Sequence, residues 1–202
     1  IEVFADWKRI EGPREAPRVN GRLRGLMIAS VQTFVDDVVP LIERHGYPCR
    51  DAANNRCVWM QHQWKVLLAT DDHLSVRDTV RRLLPGASAV ESEVKAETFD
   101  LTTGLPLRIG DLFDPETGWL EALSAAAVER LVDQPWTDER RVAGAGPEPE
   151  NFRRFNLTRG GLVLGFAPGT IGGSGSHTVS ITIPYRILDG YWQPGGPVSL
   201  LD

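Results

Sequence analysis

The chain has 202 residues, 42% of them hydrophobic and 24% charged, which suits a packed core and argues against disorder. A net charge of −5 argues against a nucleic-acid partner held by a basic surface. No run of eighteen consecutive apolar residues occurs, so the sequence predicts no membrane-spanning segment.

The chain starts on Ile1-Glu2-Val3-Phe4, as a processed product would, and that start says nothing of localisation. Val3, Phe4, Trp7 and Ile10 predict a first strand, ended by Gly12-Pro13. Asn20 has the character of a helix N-cap. Leu23, Leu26, Met27, Val31, Phe34, Val38 and Leu41 follow at steps of mostly three and four, giving a long amphipathic helix that stops near Gly46. Pro40 should kink or divide it.

Cys49 and Cys57 lie in a polar, turn-like stretch. Their spacing does not suit zinc, which would want more ligands close by. A disulfide closing this short loop is expected, contributing about 2–3 kcal/mol and indicating an oxidising compartment. Two buried thiols in a reducing compartment are the alternative.

From Cys57 the hydrophobic period becomes two. Val58, Met60, His62, Trp64, Val66 and Leu68 fall on one strand face, with Gln61, Gln63 and Lys65 on the other. A turn at Asp71-Asp72 leads to a strand from Leu74 to Leu83, broken by Pro85-Gly86. A third strand spans Val90 to Leu101, with Glu91, Glu93, Lys95 and Glu97 on a face expected to be wet. Asp114-Pro115 reads as a capped start for a second helix through Leu120, Leu123, Ala127 and Leu131. Residues 134–150, rich in Pro, Gly and charge, predict a loop. Phe152–Leu157 and Leu162–Phe166 flank Arg159-Gly160-Gly161 as a hairpin, and His177–Tyr185 reads as a closing strand. The expected fold is α+β: one antiparallel sheet packed against two principal helices, in a single domain spanning 1–202.

Several of these segments resemble the RsiV-like domain family. They are Leu74-Ser75-Val76, Thr98-Phe99-Asp100-Leu101-Thr102-Thr103-Gly104 and Asp111-Leu112-Phe113, then Asn151-Phe152, Gly161-Leu162-Val163-Leu164 and Ile183-Pro184-Tyr185. The resemblance is strongest over 57–185. It implies a secreted or surface-anchored bacterial protein, similar to extracytoplasmic domains of anti-sigma factors that sense wall-degrading enzymes and to C-terminal modules of peptidoglycan deacetylases. Secreted mycobacterial immunogenic proteins, some reported as esterases, are also similar. Where many members carry Gly-Gly-Ala-His, this chain has Pro85-Gly86-Ala87-Ser88-Ala89, without the His.

Ser174 and His177 in the Gly/Ser-rich run Gly172–His177 are the candidate catalytic pair. A nucleophilic serine needs a base within reach and an acid to orient it. Ser176 and His177 point to opposite faces of a strand, so only Ser174 could fold back onto His177. The run is not Gly-x-Ser-x-Gly, and a plain linker entering a strand explains it as well. The four histidines are scattered, no metal site is expected, and Gly169–Gly175 lacks the Lys of a phosphate-binding loop.

Six tryptophans are many for this length. Trp59, on the Gln61/Gln63 face, and Trp136, in the polar loop, are the expected ligand-binding aromatics; their alternative use is to cap the core edges. The reading is an extracytoplasmic binding or sensing module for a cell-wall-associated protein or glycan, without cofactor. The alternative is a secreted serine esterase of short-chain esters using Ser174 and His177. Nothing in the sequence signals an oligomer.

Overall fold

The computed structural model describes residues 1–7, 9–46, 58–132, 142, 144–167, 169–171 and 178–201, with the backbone alone for His45. The cysteines, Trp136, Ser174 and His177 lie outside the described residues.

Strand β1 (Glu2–Phe4) pairs parallel to β2 (Trp59–Ala69), with Glu2 opposite Trp59. Strands β3 (His73–Leu83) and β4 (Glu91–Asp100) continue antiparallel, and the short β5 (Leu105–Pro106) pairs only with the end of β4. These five strands form one sheet in the order β1-β2-β3-β4-β5. A separate sheet is built from β6 (Phe155–Thr158), β7 (Gly161–Phe166) and β8 (Val179–Ile183), all antiparallel. The expectation of one antiparallel sheet is therefore corrected: the class is α+β, but the first sheet is mixed and a second sheet stands beside it. Parallel pairing needs a long crossover, which helix α1 (Ala16–His45) supplies. Alternation of apolar residues reports a strand's faces, not its direction, so this was illegible in the sequence.

Helix α1 starts at Ala16 with Pro17 in its first turn, four residues before the expected cap, and runs undivided through Pro40. Asn20 sits inside it. Its side chain accepts from the Ile10 N–H and donates to the Ile10 carbonyl, both at 2.9 Å, pinning the preceding segment to the helix. Gly46 closes the helix in the left-handed conformation, its N–H on the Ile42 carbonyl. The buried stripe of α1 makes two apolar clusters against the first sheet. Val19 and Leu23 pack with Leu74, Val76 and Phe99, while Phe34 and Val38 pack with Met60 and Val80. Each such burial stabilises by about 1.5–3 kcal/mol. The outer face still carries Ile28 at 50% exposure. By length and composition α1 is also apolar enough to cross a membrane, with a mean hydropathy of 1.4 in its best window. No unbroken apolar run marks it in the sequence because Ser30, Gln32, Thr33, Asp36 and Asp37 interrupt the stretch.

A bulge in β2 between Val66 and Leu68 changes which face the strand presents. Met60 and His62 face α1, but Leu68 joins the cluster of the second sheet and Val66 is 42% exposed, so the six alternating residues do not share one face. Helix α2 (Trp119–Val132) begins at Trp119, and Asp114 caps a preceding turn instead, accepting from the Glu116 N–H. Leu123, Ala127 and Leu131 of α2 pack with Phe155, Leu157, Leu162, Leu164, Ile181 and Ile183 in the largest core cluster.

The two sheets are joined by polar groups. Strand β6 contacts β2, β3 and β4. The buried Asn156 amide donates to Ser75 Oγ (3.0 Å) and the Val76 carbonyl (2.8 Å). Ser75 Oγ also accepts from the Leu157 N–H and shares a proton with Thr98 Oγ1 at 2.9 Å. Tyr185 ties the end of β8 to the β6–β7 turn, donating to the Thr158 carbonyl at 2.7 Å, and burial raises its phenol to about 12.

His73 opens β3 almost fully buried, with its Nδ1 unpartnered. Burial lowers its pKa below the ordinary 6.5, against the pull of Asp100 and Asp72. A group whose folded pKa is depressed gives stability that is complete above its unfolded pKa and is lost as pH falls through the folded one. Urea unfolding at a series of pH values is therefore expected to show wild type losing stability relative to His73→Gln as pH drops below 6.5. Parallel curves would contradict this.

Candidate functional site

The open edge of β4 borders a concavity. Leu107 N–H donates to the Thr98 carbonyl, and Val94 N–H donates to Thr178 Oγ1. In an antiparallel ladder both backbone groups of one residue point the same way and those of the next point oppositely. Even-numbered residues of β4 thus turn their backbone away from β3. Ala96 lies between the two occupied positions, in the wall of a trough of about 770 Å³. An open strand edge beside a groove is the arrangement that accepts an added strand or an extended polymer.

The trough has an apolar floor and a charged rim. Leu105, Pro106, Leu107 and Phe155 line it, with Leu105 49% exposed. Gly104 sets up this segment: at φ +68° it makes a left-handed turn, and a Cβ there would stand 2.9 Å from the Glu15 Cβ. Around the rim, Arg22 pairs with Glu97 at 3.5 Å and Arg153 pairs with Glu150. Arg108 also lines the trough, is exposed, and makes no ion pair among the described residues. Burial pushes the Glu97 carboxyl above its ordinary 4.5, although Arg22 pulls it back. The β4 face expected to be wet is thus partly covered: α1 lies over it, and Lys95 Nζ donates to Ser30 Oγ at 2.7 Å.

Trp59 is half-buried at the start of β2, with the Arg81 guanidinium 5.9 Å above its ring. Its strand is separated from β4 by β3, so it stands apart from the trough. The described residues bring Trp59 together with no other candidate named from the sequence. No three His, Cys, Asp or Glu side chains converge to hold a metal among the described residues.

His62 is buried, and its Nδ1 shares a proton with Asp78 Oδ2 at 2.6 Å. Sequence reading placed His62 correctly on an apolar face but missed its partner. The signal was there: Asp78 interrupts the run Leu74, Val76, Val80 on the same face of β3.

Comparison with known proteins adds a family to this geometry. Residues 110–186 match the model of a family described as a protein of unknown function, DUF3298. This segment resembles a DUF3298 domain. It runs from the turn before Phe113 through α2 and the second sheet to Arg186, and so holds the Asp111-Leu112-Phe113 and Ile183-Pro184-Tyr185 motifs. A crystal structure of a DUF3298 family member from Bacteroides fragilis superposes with a TM-score of 0.58 at 18% identity, covering 91% of this chain and 71% of the other. That likeness shows a shared fold, and it extends beyond the DUF3298 segment into the first sheet. A DUF3298 family protein from Pseudomonas aeruginosa gives a TM-score of 0.49 at 16% identity over 68% of this chain and 63% of its own. No curated protein matches the chain.

Proposed function

We propose that the chain is an extracytoplasmic binding module of the RsiV-like type, which takes a cell-wall-associated protein or glycan in the trough along β4. The observation that carries this reading is the trough itself: about 770 Å³, with an apolar floor, guanidinium and carboxylate groups on its rim, and the Ala96 backbone turned toward it. A groove with these walls offers stacking and van der Waals surface to a sugar or an extended peptide, and the exposed Arg108 guanidinium can meet a carboxylate bidentately. The motif resemblance over 57–185 supports the same class. Trp59, under Arg81, offers a second aromatic contact.

The test is calorimetric titration of the intact protein with a soluble muropeptide digest and with a wall-degrading enzyme. Saturable binding to one of them is expected, weakened about tenfold or more by Arg108→Ala. Absence of binding to both, or full affinity in the variant, would refute the trough reading.

A further inference from the structure

Helix α1 covers one face of the first sheet, the face that carries Met60, Val76 and Val80. Residues paired across neighbouring strands share a face, so the strand register maps the other one. Phe4 of β1 lies beside Gln61 of β2, and Gln61 lies opposite Arg81 of β3. The next rows pair Gln63 with Thr79 and Lys65 with Arg77, and Trp59 stands two residues before Gln61 on the same face. Strand β6 covers this face at Ser75, where Asn156 reaches across. Beyond that point Phe4, Gln61, Gln63, Lys65 and Arg81 are exposed, Phe4 by 57%.

The chain as a whole has more acids than bases, 27 Asp and Glu against 22 Lys and Arg. On this face the balance is reversed. Lys65 and Arg77 stand directly opposite each other, a like-charge pair that destabilises the sheet. Arg77 donates from Nε to Asn156 Oδ1 at 3.4 Å, and burial lowers its pKa. Arg81 lies over the Trp59 ring. Lys65, Arg77 and Arg81 make no ion pair among the described residues. Beside them on β4, Ser92, Val94 and Ala96 carry no charge. Over the stretch from Arg77 to Leu83, the one carboxylate that the strands bring to this face is Glu2, beyond Trp59 at the β1 edge. An acid at position 65 would relieve the repulsion; two cations there give the face an affinity for anions instead.

Strands β2 and β3 are paired on both edges, so their backbone groups are engaged and only side chains face outward here. An extended peptide laid on this face would find no backbone partner. Sugar hydroxyls are better matched, because the Gln61 and Gln63 amides each donate and accept. Phe4 and Trp59 offer ring surface to the apolar faces of sugars. Arg77 and Arg81 stand about 13 Å apart along β3, at roughly 3.3 Å per residue, so a single sugar does not span the charges. We propose that this face binds a linear acidic glycan, a chain of sugar rings bearing carboxylates. Lys65 and Arg77 meet one carboxylate, Arg81 meets another, and a ring between them packs near Phe4 and the two glutamines. This inference rests on β1, β2 and β3 and not on the trough at the β4 edge, so Arg108 has no part in it.

Calorimetric titration of the intact protein tests it, with hexasaccharides of hyaluronan and of polygalacturonate as acidic glycans, chitohexaose as the neutral one and hexaglutamate as an acidic peptide. Saturable binding of an acidic hexasaccharide is expected, about tenfold or more tighter than chitohexaose or hexaglutamate, and weakened by added salt. Arg81→Gln and Lys65→Gln should each weaken it about tenfold. Both side chains are exposed, so neither change should lower Tm, and Lys65→Gln relieves the repulsion with Arg77. Arg108→Ala should leave this binding unchanged, which separates it from the trough. No binding of either acidic hexasaccharide at millimolar concentration would overturn the proposal. So would equal binding of chitohexaose, tighter binding of hexaglutamate, full affinity in a folded Arg81→Gln, or loss of binding in Arg108→Ala.

Discussion

Phe113→Ala is expected to destabilise the protein by about 3–5 kcal/mol, the range for removing a fully buried aromatic ring. Phe113 is 1% exposed and stands between two indoles, with Trp119 stacked at 4.7 Å and Trp192 at 4.6 Å. Its backbone bridges to Trp192, flanked by bonds from Asp114 N–H to the Tyr191 carbonyl and from Gln193 N–H to the Leu112 carbonyl. One ring therefore holds together the turn before α2, the helix's first residue and the C-terminal segment. Its loss leaves a cavity between two rigid indoles that cannot collapse to fill it. Urea unfolding followed by tryptophan fluorescence would measure the cost, and a loss below about 1 kcal/mol would show that the stack is not part of the stable core.

Asn156→Ala is expected to cost about 2–4 kcal/mol, for a different physical reason. The residue is 1% exposed, and its amide crosses from β6 to Ser75 and Val76 on β3. Truncation leaves the Ser75 hydroxyl and the Val76 carbonyl short of a donor inside the protein, where water cannot readily replace it. Because Ser75 is shared with the Leu157 N–H and Thr98, the effects of Asn156→Ala and Ser75→Ala should not add. A double-mutant cycle reads this directly. A coupling near zero would mean that the two sheets are held by apolar contact alone.

The sequence was most informative where one side chain pattern serves one environment. The alternation in β3 and β4 and the turn at Gly160-Gly161 appear in the structure close to where their residues put them. It was least informative where a long-range partner decides. The bulge at Val66/Leu68 flips Leu68 toward the second sheet, although nothing in the local pattern marks the change. Asn20 looks like a cap, but the Ile10 backbone takes its side chain. Glu93, Lys95 and Glu97 read as a solvated face, but α1 and the Arg153-Arg154 segment close over them. The trough was illegible for the same reason: its walls come from α1, β4, β5 and the residues after Pro149, which are far apart in the chain. Trp59 was visible as an aromatic on a polar face, but its partner Arg81 lies on the neighbouring strand.

Hydrogen–deuterium exchange with and without a bound wall fragment or wall-degrading enzyme tests the central claim most directly. If the ligand lies along β4, the outward amide of Ala96 and the amides of Leu105, Leu107 and Arg108 should exchange more slowly in the complex. Protection confined to the Trp59 end of β2, with the Ala96 amide unchanged, would place the ligand elsewhere and contradict the account.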